Sequence, residues 1–200
     1  MRVLLIDGHP DKDRLSAHLL DMFQRALPAS DMIDRIAIRD LRFDPILRRG
    51  YTEPQPLEED LQRATRAIMD ADHIVIAHPL WWGAEPALMA GFYERVFMPG
   101  TTFRYHKRDP FWDKLLKGRS GDVLITTDTP VPWLKLRFGN PIGKRLRHQV
   151  LGFCGIRPLR VGFFGPVRRG GAEKRMAGWQ RQIRALAESA GALRRGKKAS

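Results

Sequence analysis

The chain has 200 residues, 43% of them apolar, a formal net charge of +13 and one cysteine. That length supports one sizeable core and not two, and the lone Cys154 excludes an internal disulfide and a thiolate-rich metal site, as expected in a reducing cytoplasm. No apolar run approaches the ~20 residues of a membrane span, and the opening residues run straight into a short apolar stretch that reads as a strand and not as a signal peptide.

In chain order, residues 3–6 (Val-Leu-Leu-Ile) form the first continuous apolar run, followed by a helical pattern on Leu15, Leu19, Met22, Phe23 and Ala26. A weaker run spans 33–38, and stronger ones lie at 74–77, 123–126 and 159–164. Further helical spacing appears on Leu57, Leu61, Ala64, Ile68 and Ala71, and again on Trp179, Ile183, Leu186, Ala187 and Ala190. Continuous runs suit strands buried on both faces, and their alternation with helices predicts right-handed βαβ crossovers in a doubly wound parallel sheet. Residues 1–192 therefore read as a single domain, with a basic, disordered tail over 193–200. Three long connections, 39–56, 97–110 and 128–141, are rich in aromatic residues, proline or cations, as functional loops are.

Charge is unevenly spread. Residues 1–100 hold 12 Lys+Arg against 16 Asp+Glu, a net −4, and residues 101–200 hold 23 against 6, a net +17. A phosphorylated ligand, an anionic surface and a solvated basic face all predict such a field. The cations fall in no DNA- or RNA-binding motif, so no nucleic-acid partner is expected.

The first strand runs into Asp7-Gly8-His9-Pro10-Asp11-Lys12-Asp13-Arg14-Leu15-Ser16 and then a helix, the place where a doubly wound sheet binds an anion. Neither a dinucleotide fingerprint nor a P-loop occurs there. His9, Arg14 and Ser16 are the available phosphate donors; alternatively, the segment is a surface loop whose Asp13 caps the helix. The third strand delivers Pro79-Leu80-Trp81-Trp82-Gly83 into the same edge, with Pro86 opening the next helix. Two indoles there suit a flat heterocycle, although core or interface packing would place them as well. Glu94 and Arg95 read as helix-surface ion-pair partners, and Cys154 as a small buried hydrophobe. His73, His106 and His148 show no metal-ligand spacing, so no metal is expected.

The segment 79–97, with its Pro-Leu-x-Trp, Pro86, Leu88, Gly91-Phe92-Tyr93-Glu94-Arg95-Val96-Phe97 pattern, resembles the signature of the NAD(P)H:quinone reductases. That family includes the modulator-of-drug-activity type and the ancillary oxidoreductases of potassium efflux systems. His9, Asp44-Pro45 and Thr126-Thr127 agree, and the resemblance spans roughly residues 1–165. It implies a flavodoxin-like α/β fold with five parallel strands in the order 2-1-3-4-5 and helices on both faces. It also implies tightly bound FMN or FAD and ping-pong, two-electron reduction of quinones by NAD(P)H. By the resemblance, His9, Arg14, Leu15 and Ser16 face the flavin phosphate and ribityl chain. Pro79, Leu80, Trp81 and Trp82 line the ring, with Thr126, Thr127 and Asp128 at its polar edge. Departures are Arg14, where many relatives have Ser, and Asp128-Thr129 in place of Gly-Gly. Relatives are homodimers whose acceptor slot is completed across the interface, a role suited to Trp82, Phe103, Tyr105 and Trp133 if these are exposed. The cations of the later loops predict NADPH over NADH. The competing reading is a flavin-holding accessory subunit that docks its basic half on a membrane transporter or another acidic partner.

Overall fold

The computed structural model describes residues 1–168 and 170–197, with side chains through 192. The expected tail at 193–200 therefore lies outside the fully described residues. Five strands, β1 (Arg2–Asp7), β2 (Met32–Ala37), β3 (His73–Pro79), β6 (Ser120–Thr126) and β7 (Leu159–Phe164), pair in parallel in the order β2-β1-β3-β6-β7. This is the expected 2-1-3-4-5 order of the core. Every residue of β3 and β6 is buried, which is why these strands read as unbroken apolar runs and not as alternating ones.

Helices cover both faces. On one, α1 (Leu15–Ala26) turns Leu19, Leu20 and Phe23 inward, and α6 (Gly171–Lys197) adds Trp179, Ile183, Ala187 and Ala190. On the other, α2 (Glu59–Asp70) buries Leu61, Ala64 and Ile68, and α3 (Ala87–Val96) buries Met89, Phe92 and Val96. Each fully buried large side chain stabilises the fold by roughly 1.5–3 kcal/mol.

Two segments expected as loops carry local structure. Residues 97–114 form a small antiparallel hairpin of β4 (Phe103–Tyr105) and β5 (Trp112–Lys114). Its three-residue strands are too short and too charged to show a period. The hairpin is fixed from outside: Trp112 stacks on Phe153 with ring centroids 4.3 Å apart and donates its indole N–H to the Phe153 carbonyl. The 128–141 segment contains the short helix α4 (Val131–Leu136), and α5 (Pro141–Arg145) follows it.

Arg95 differs from its expected place on a helix surface. Its side chain is 1% exposed and reaches from α3 into the excursion 41–57. There it donates to the carbonyls of Asp44 and Pro56 and pairs with Glu58 (Nη2–Oε2 2.9 Å). Gly91, one turn earlier, lets the same excursion approach: a Cβ there would lie 2.5 Å from Pro45. The excursion is thus ordered by one guanidinium and one missing methyl. Arg95→Ala leaves the Asp44 and Pro56 carbonyls without this donor, while the one-third-exposed Glu58 keeps the Asp44 N–H, and should cost about 1–3 kcal/mol, the range for an unsatisfied buried acceptor. Urea denaturation measures it; a loss below ~1 kcal/mol would show that the excursion is held by other contacts.

Candidate functional site

The carboxyl ends of β1, β3 and β6 meet at one edge, and the loops that leave them are tied together. Gly8 N–H donates to the Ala77 carbonyl at 2.7 Å, and Leu80 N–H to the Thr126 carbonyl at 2.8 Å. Gly8 has no room for a side chain, since a Cβ would lie 2.9 Å from the Met89 sulfur and 3.0 Å from His78 Cβ.

In the first loop, Asp7 is buried, pairs with Arg39 at 2.5 Å and accepts the His9 N–H. His9 Nδ1 accepts the Asp11 N–H at 2.9 Å, so the neutral ring carries its proton on Nε2 and is a donor there. Burial lowers the His9 pKa, Asp7 opposes this and Arg14 adds to it. Arg14 precedes α1, more than half exposed, with its guanidinium on Asp11 (Nε–Oδ2 2.8 Å). Leu15 packs toward the α1/α6 core, so the group it offers the site is its backbone N–H. Ser16 is 1% exposed, and its hydroxyl has no hydrogen-bond partner. A buried hydroxyl left unpaired beside the free N–H groups of a helix start is where an anion's oxygens would be accommodated.

The second loop closes tightly. Trp81 and Ala84 exchange N–H···O bonds of 2.9 and 3.0 Å around Trp82 and Gly83, both at positive φ (52° and 82°). A non-glycine residue in that region is strained. The turn throws the Trp82 indole fully into solvent, while Trp81 stays half-exposed and meets His9 edge-on at 5.5 Å. His9 and Trp81 therefore join the two loops.

The third loop supplies the opposite wall. Thr127 Oγ1 accepts the Thr129 N–H at 3.1 Å. Asp128 accepts the N–H groups of Val167 (3.2 Å) and Arg168 (2.8 Å) and pairs with the Arg168 guanidinium at 2.7 Å. Its carboxylate is thus committed to holding the loop after β7. Pro79–Trp82 and 126–129, with Val167 and Arg168, line one open cavity of about 490 Å³. Sequence reasoning missed Thr129, Val167 and Arg168. The signal for the last two was topological: they follow the final strand at the same sheet edge.

Behind the second loop, His78 Nδ1 donates to the Pro79 carbonyl at 2.8 Å, and buried Glu85 takes both bonds of Arg145 (2.7 and 2.6 Å). Burial first, then Glu85, raises the pKa of the Tyr93 hydroxyl, which stays protonated.

The four residues expected around an acceptor do not share one exposure. Trp82, Tyr105 and Trp133 are exposed, but Phe103 is 4% exposed and packs edge-on to Tyr105 and Phe153. The exposure expected of Phe103 is therefore corrected: it is the internal contact through which the hairpin holds Tyr105 outward. Cys154 is buried, and desolvation pushes its thiol up to about 11, as suits a hydrophobe. His73 is buried between Ser120 (2.8 Å) and Asp122 (3.1 Å), away from the loops. Among the described residues no group of His, Cys, Asp and Glu has the arrangement of a metal site.

The chain is similar along most of its length to known proteins. It is 29% identical over 185 residues to an uncharacterized NAD(P)H oxidoreductase of Haemophilus influenzae, covering 84% of this chain and 85% of that one. It is 29% identical over 190 residues to an FMN-dependent NADH:quinone oxidoreductase of Cereibacter sphaeroides, covering 87% and 90%. Among solved structures, the NAD(P)H:quinone oxidoreductase from Methanothermobacter marburgensis superposes with a TM-score of 0.74 at 21% identity, covering 94% and 95%. The family model for the flavodoxin-like fold matches residues 1–189. With the strand order β2-β1-β3-β6-β7 and the loops gathered at its carboxyl edge, the chain belongs to the flavodoxin-like fold family.

Proposed function

We propose that the protein is a flavin-dependent NAD(P)H oxidoreductase that reduces quinones or similar acceptors by two electrons. One observation carries this reading: the unpaired Ser16 hydroxyl at the start of α1 and the indole-bearing cavity of 79–82 and 126–129 occur at the same sheet edge, joined by the His9–Trp81 contact. An anion cradle beside an aromatic wall fits a phosphorylated flat heterocycle. The names of the similar proteins support an oxidoreductase and favour FMN over FAD.

When bound, flavin would supply the two-electron, ping-pong redox chemistry between NAD(P)H and the acceptor. The chain's residues bind and orient. Ser16 Oγ–H, His9 Nε2–H and the N–H groups of residues 15 and 16 receive the phosphate. The backbone of Pro79–Trp82 would hold the ring, with Thr126 and Thr127 lining the same cavity. Arg14 must give up Asp11 to reach the phosphate, so its contribution is smaller than that of an unpaired cation. Trp82, Tyr105 and Trp133 are exposed, as are Phe111, Leu136 and Phe138, large apolar side chains of the kind that mark an interaction surface. They support a homodimer whose acceptor slot is completed by the second copy. Among the described residues no helix is long and apolar enough to cross a membrane, and a cytoplasmic location suits both the nucleotide donor and the reduced thiol.

Ser16 and Arg14 give the test. Ser16→Ala removes a hydroxyl that has no partner without ligand, so the FMN-free protein should be as stable or slightly more stable, while FMN affinity falls. A hydrogen bond to a charged acceptor is worth ~1.5–3 kcal/mol, roughly ten- to a hundredfold in Kd. Arg14→Ala should cost less than about tenfold. Fluorescence titration of FMN, quenched by the indoles, reads both. Failure to take up FMN or FAD at micromolar concentration overturns the proposal.

The donor preference follows from Arg104, Lys107, Arg108, Lys135 and Arg137, all exposed on the later loops. Steering toward the 2′-phosphate of NADPH should favour it over NADH by roughly tenfold in kcat/KM, and the advantage should shrink with salt. Kinetics with both nucleotides at low and high ionic strength decide it; equal values at low salt, or a preference for NADH, would exclude the preference.

A further inference from the structure

A second concave site lies on the α1/α6 face, away from the flavin-type loops. It is a trough of about 360 Å³ between the two helices. From α1 come Met22, Arg25 and Ala26, at positions i, i+3 and i+4. From α6 come Ala177, Gln180, Arg181 and Arg184, at i, i+3, i+4 and i+7, a stripe beside the one that buries Trp179, Ile183 and Ala187. Met22, Ala26 and Ala177 supply apolar lining, and three arginines line the same volume. The trough shares no residue with the cavity at the sheet edge. Along α1, Arg25 is nine residues beyond Ser16, about 13 Å at the helical rise.

The charges in this trough lack the compensation given to others. Arg2 pairs with Asp34 and Asp70, Arg35 with Asp21, Arg145 with Glu85, Arg160 with Asp122 and Arg168 with Asp128. Among the described residues, no carboxylate lies within 4.0 Å of the Arg25, Arg181 or Arg184 guanidinium. Arg25 has a local reason for its place, since it sits in the last turn of α1 at the negative end of the helix dipole. Arg181 and Arg184 lie in the middle of α6, away from either helix end, and Glu188, one turn beyond Arg184, forms no ion pair with it. Three like charges around one concavity repel, and a multivalent anion reverses the sign of that interaction.

We propose that this trough is a second anion site, which takes a compact phosphate-bearing ligand of two or more negative charges, of the pyrophosphate type. Concavity selects the ligand class. A bilayer is flat and meets a convex basic surface, whereas here three arginines line an open trough of about 360 Å³, which matches a small group. Arginine suits phosphate in particular, because its planar fork offers two parallel donors to two oxygens. The site uses part of the positive charge of residues 101–200 that the loops at the sheet edge leave unexplained.

The experiment titrates inorganic pyrophosphate into FMN-saturated protein at low ionic strength by calorimetry, so that the cradle at Ser16 is already filled. One further site is expected. It should weaken about tenfold in Arg181→Gln and about a hundredfold in Arg181→Gln/Arg184→Gln, with FMN affinity unchanged in both. Circular dichroism checks that these surface variants keep their helix content. Three results would overturn the proposal: no heat beyond the FMN-filled cradle, binding that survives the double substitution, or capture by phosphatidylglycerol vesicles that pyrophosphate does not compete away. A protein that takes up no FMN would sink the flavoenzyme reading alone, because the difference between wild type and the double variant still reports on the trough.

Discussion

The ladder of the parallel sheet continues one residue past its strands, and the site depends on that continuation. Gly8 N–H reaches the Ala77 carbonyl, Leu80 N–H the Thr126 carbonyl and Thr127 N–H the Phe164 carbonyl. These bonds carry the register of β1, β3, β6 and β7 into the loops before the chain turns away. Loop backbone that would otherwise cost ordering entropy when a ligand binds is therefore ordered in advance. Side chains can then be spent on recognition: Trp82 is held in solvent by a strained turn, and Ser16 is kept dry and unpaired.

How much of this was legible in the sequence depended on the range of the interaction responsible. Runs such as 74–77 and 123–126 announce strands buried on both faces because burial demands apolar residues at successive positions. Pro79-Leu80-Trp81-Trp82 directs attention to the sheet edge because two adjacent indoles follow a buried strand there, although core or interface packing would place them as well. Arg95 could not be read in this way. Its helical position beside Glu94 looks like a surface, and its burial comes from an excursion whose carbonyls at Asp44 and Pro56 lie some forty to fifty residues earlier. Phe103 misled for the same reason: its partner Phe153 lies fifty residues downstream. A hairpin of three-residue strands has no period to detect, and its order is supplied from outside by Trp112 and Phe153.

Part of the basic half proves to be cross-linking. Arg145 to Glu85 joins α5 to the loop before α3, Arg160 to Asp122 joins two strands, and Arg168 to Asp128 joins the loops after β6 and β7. Asp122 and Asp128 are among the few carboxylates of this half of the chain, and Glu85 comes from the other half. Asp122 and Glu85 are nearly inaccessible, so their pairs are geometric constraints as much as charge balance. Of the remaining cations, Arg119, Arg147 and Arg175 donate to backbone carbonyls, and Arg181 and Arg184 line the trough between α1 and α6.

The two proposed anion cradles would differ in what they ask of a ligand. At the sheet edge the donors are neutral or already engaged: Ser16 is unpaired, His9 is kept neutral by burial, and Arg14 is held by Asp11. Binding there rests on short hydrogen bonds to groups that no longer compete with water, so it is selective for shape and only moderately sensitive to salt. In the trough the donors are exposed, fully charged and mutually repelling, so binding rests on relief of that repulsion and fades as counter-ions screen it. Salt dependence therefore distinguishes the two sites on one protein, since a neutral, preorganised cradle and a cluster of free guanidinium groups cannot share the same ionic-strength profile.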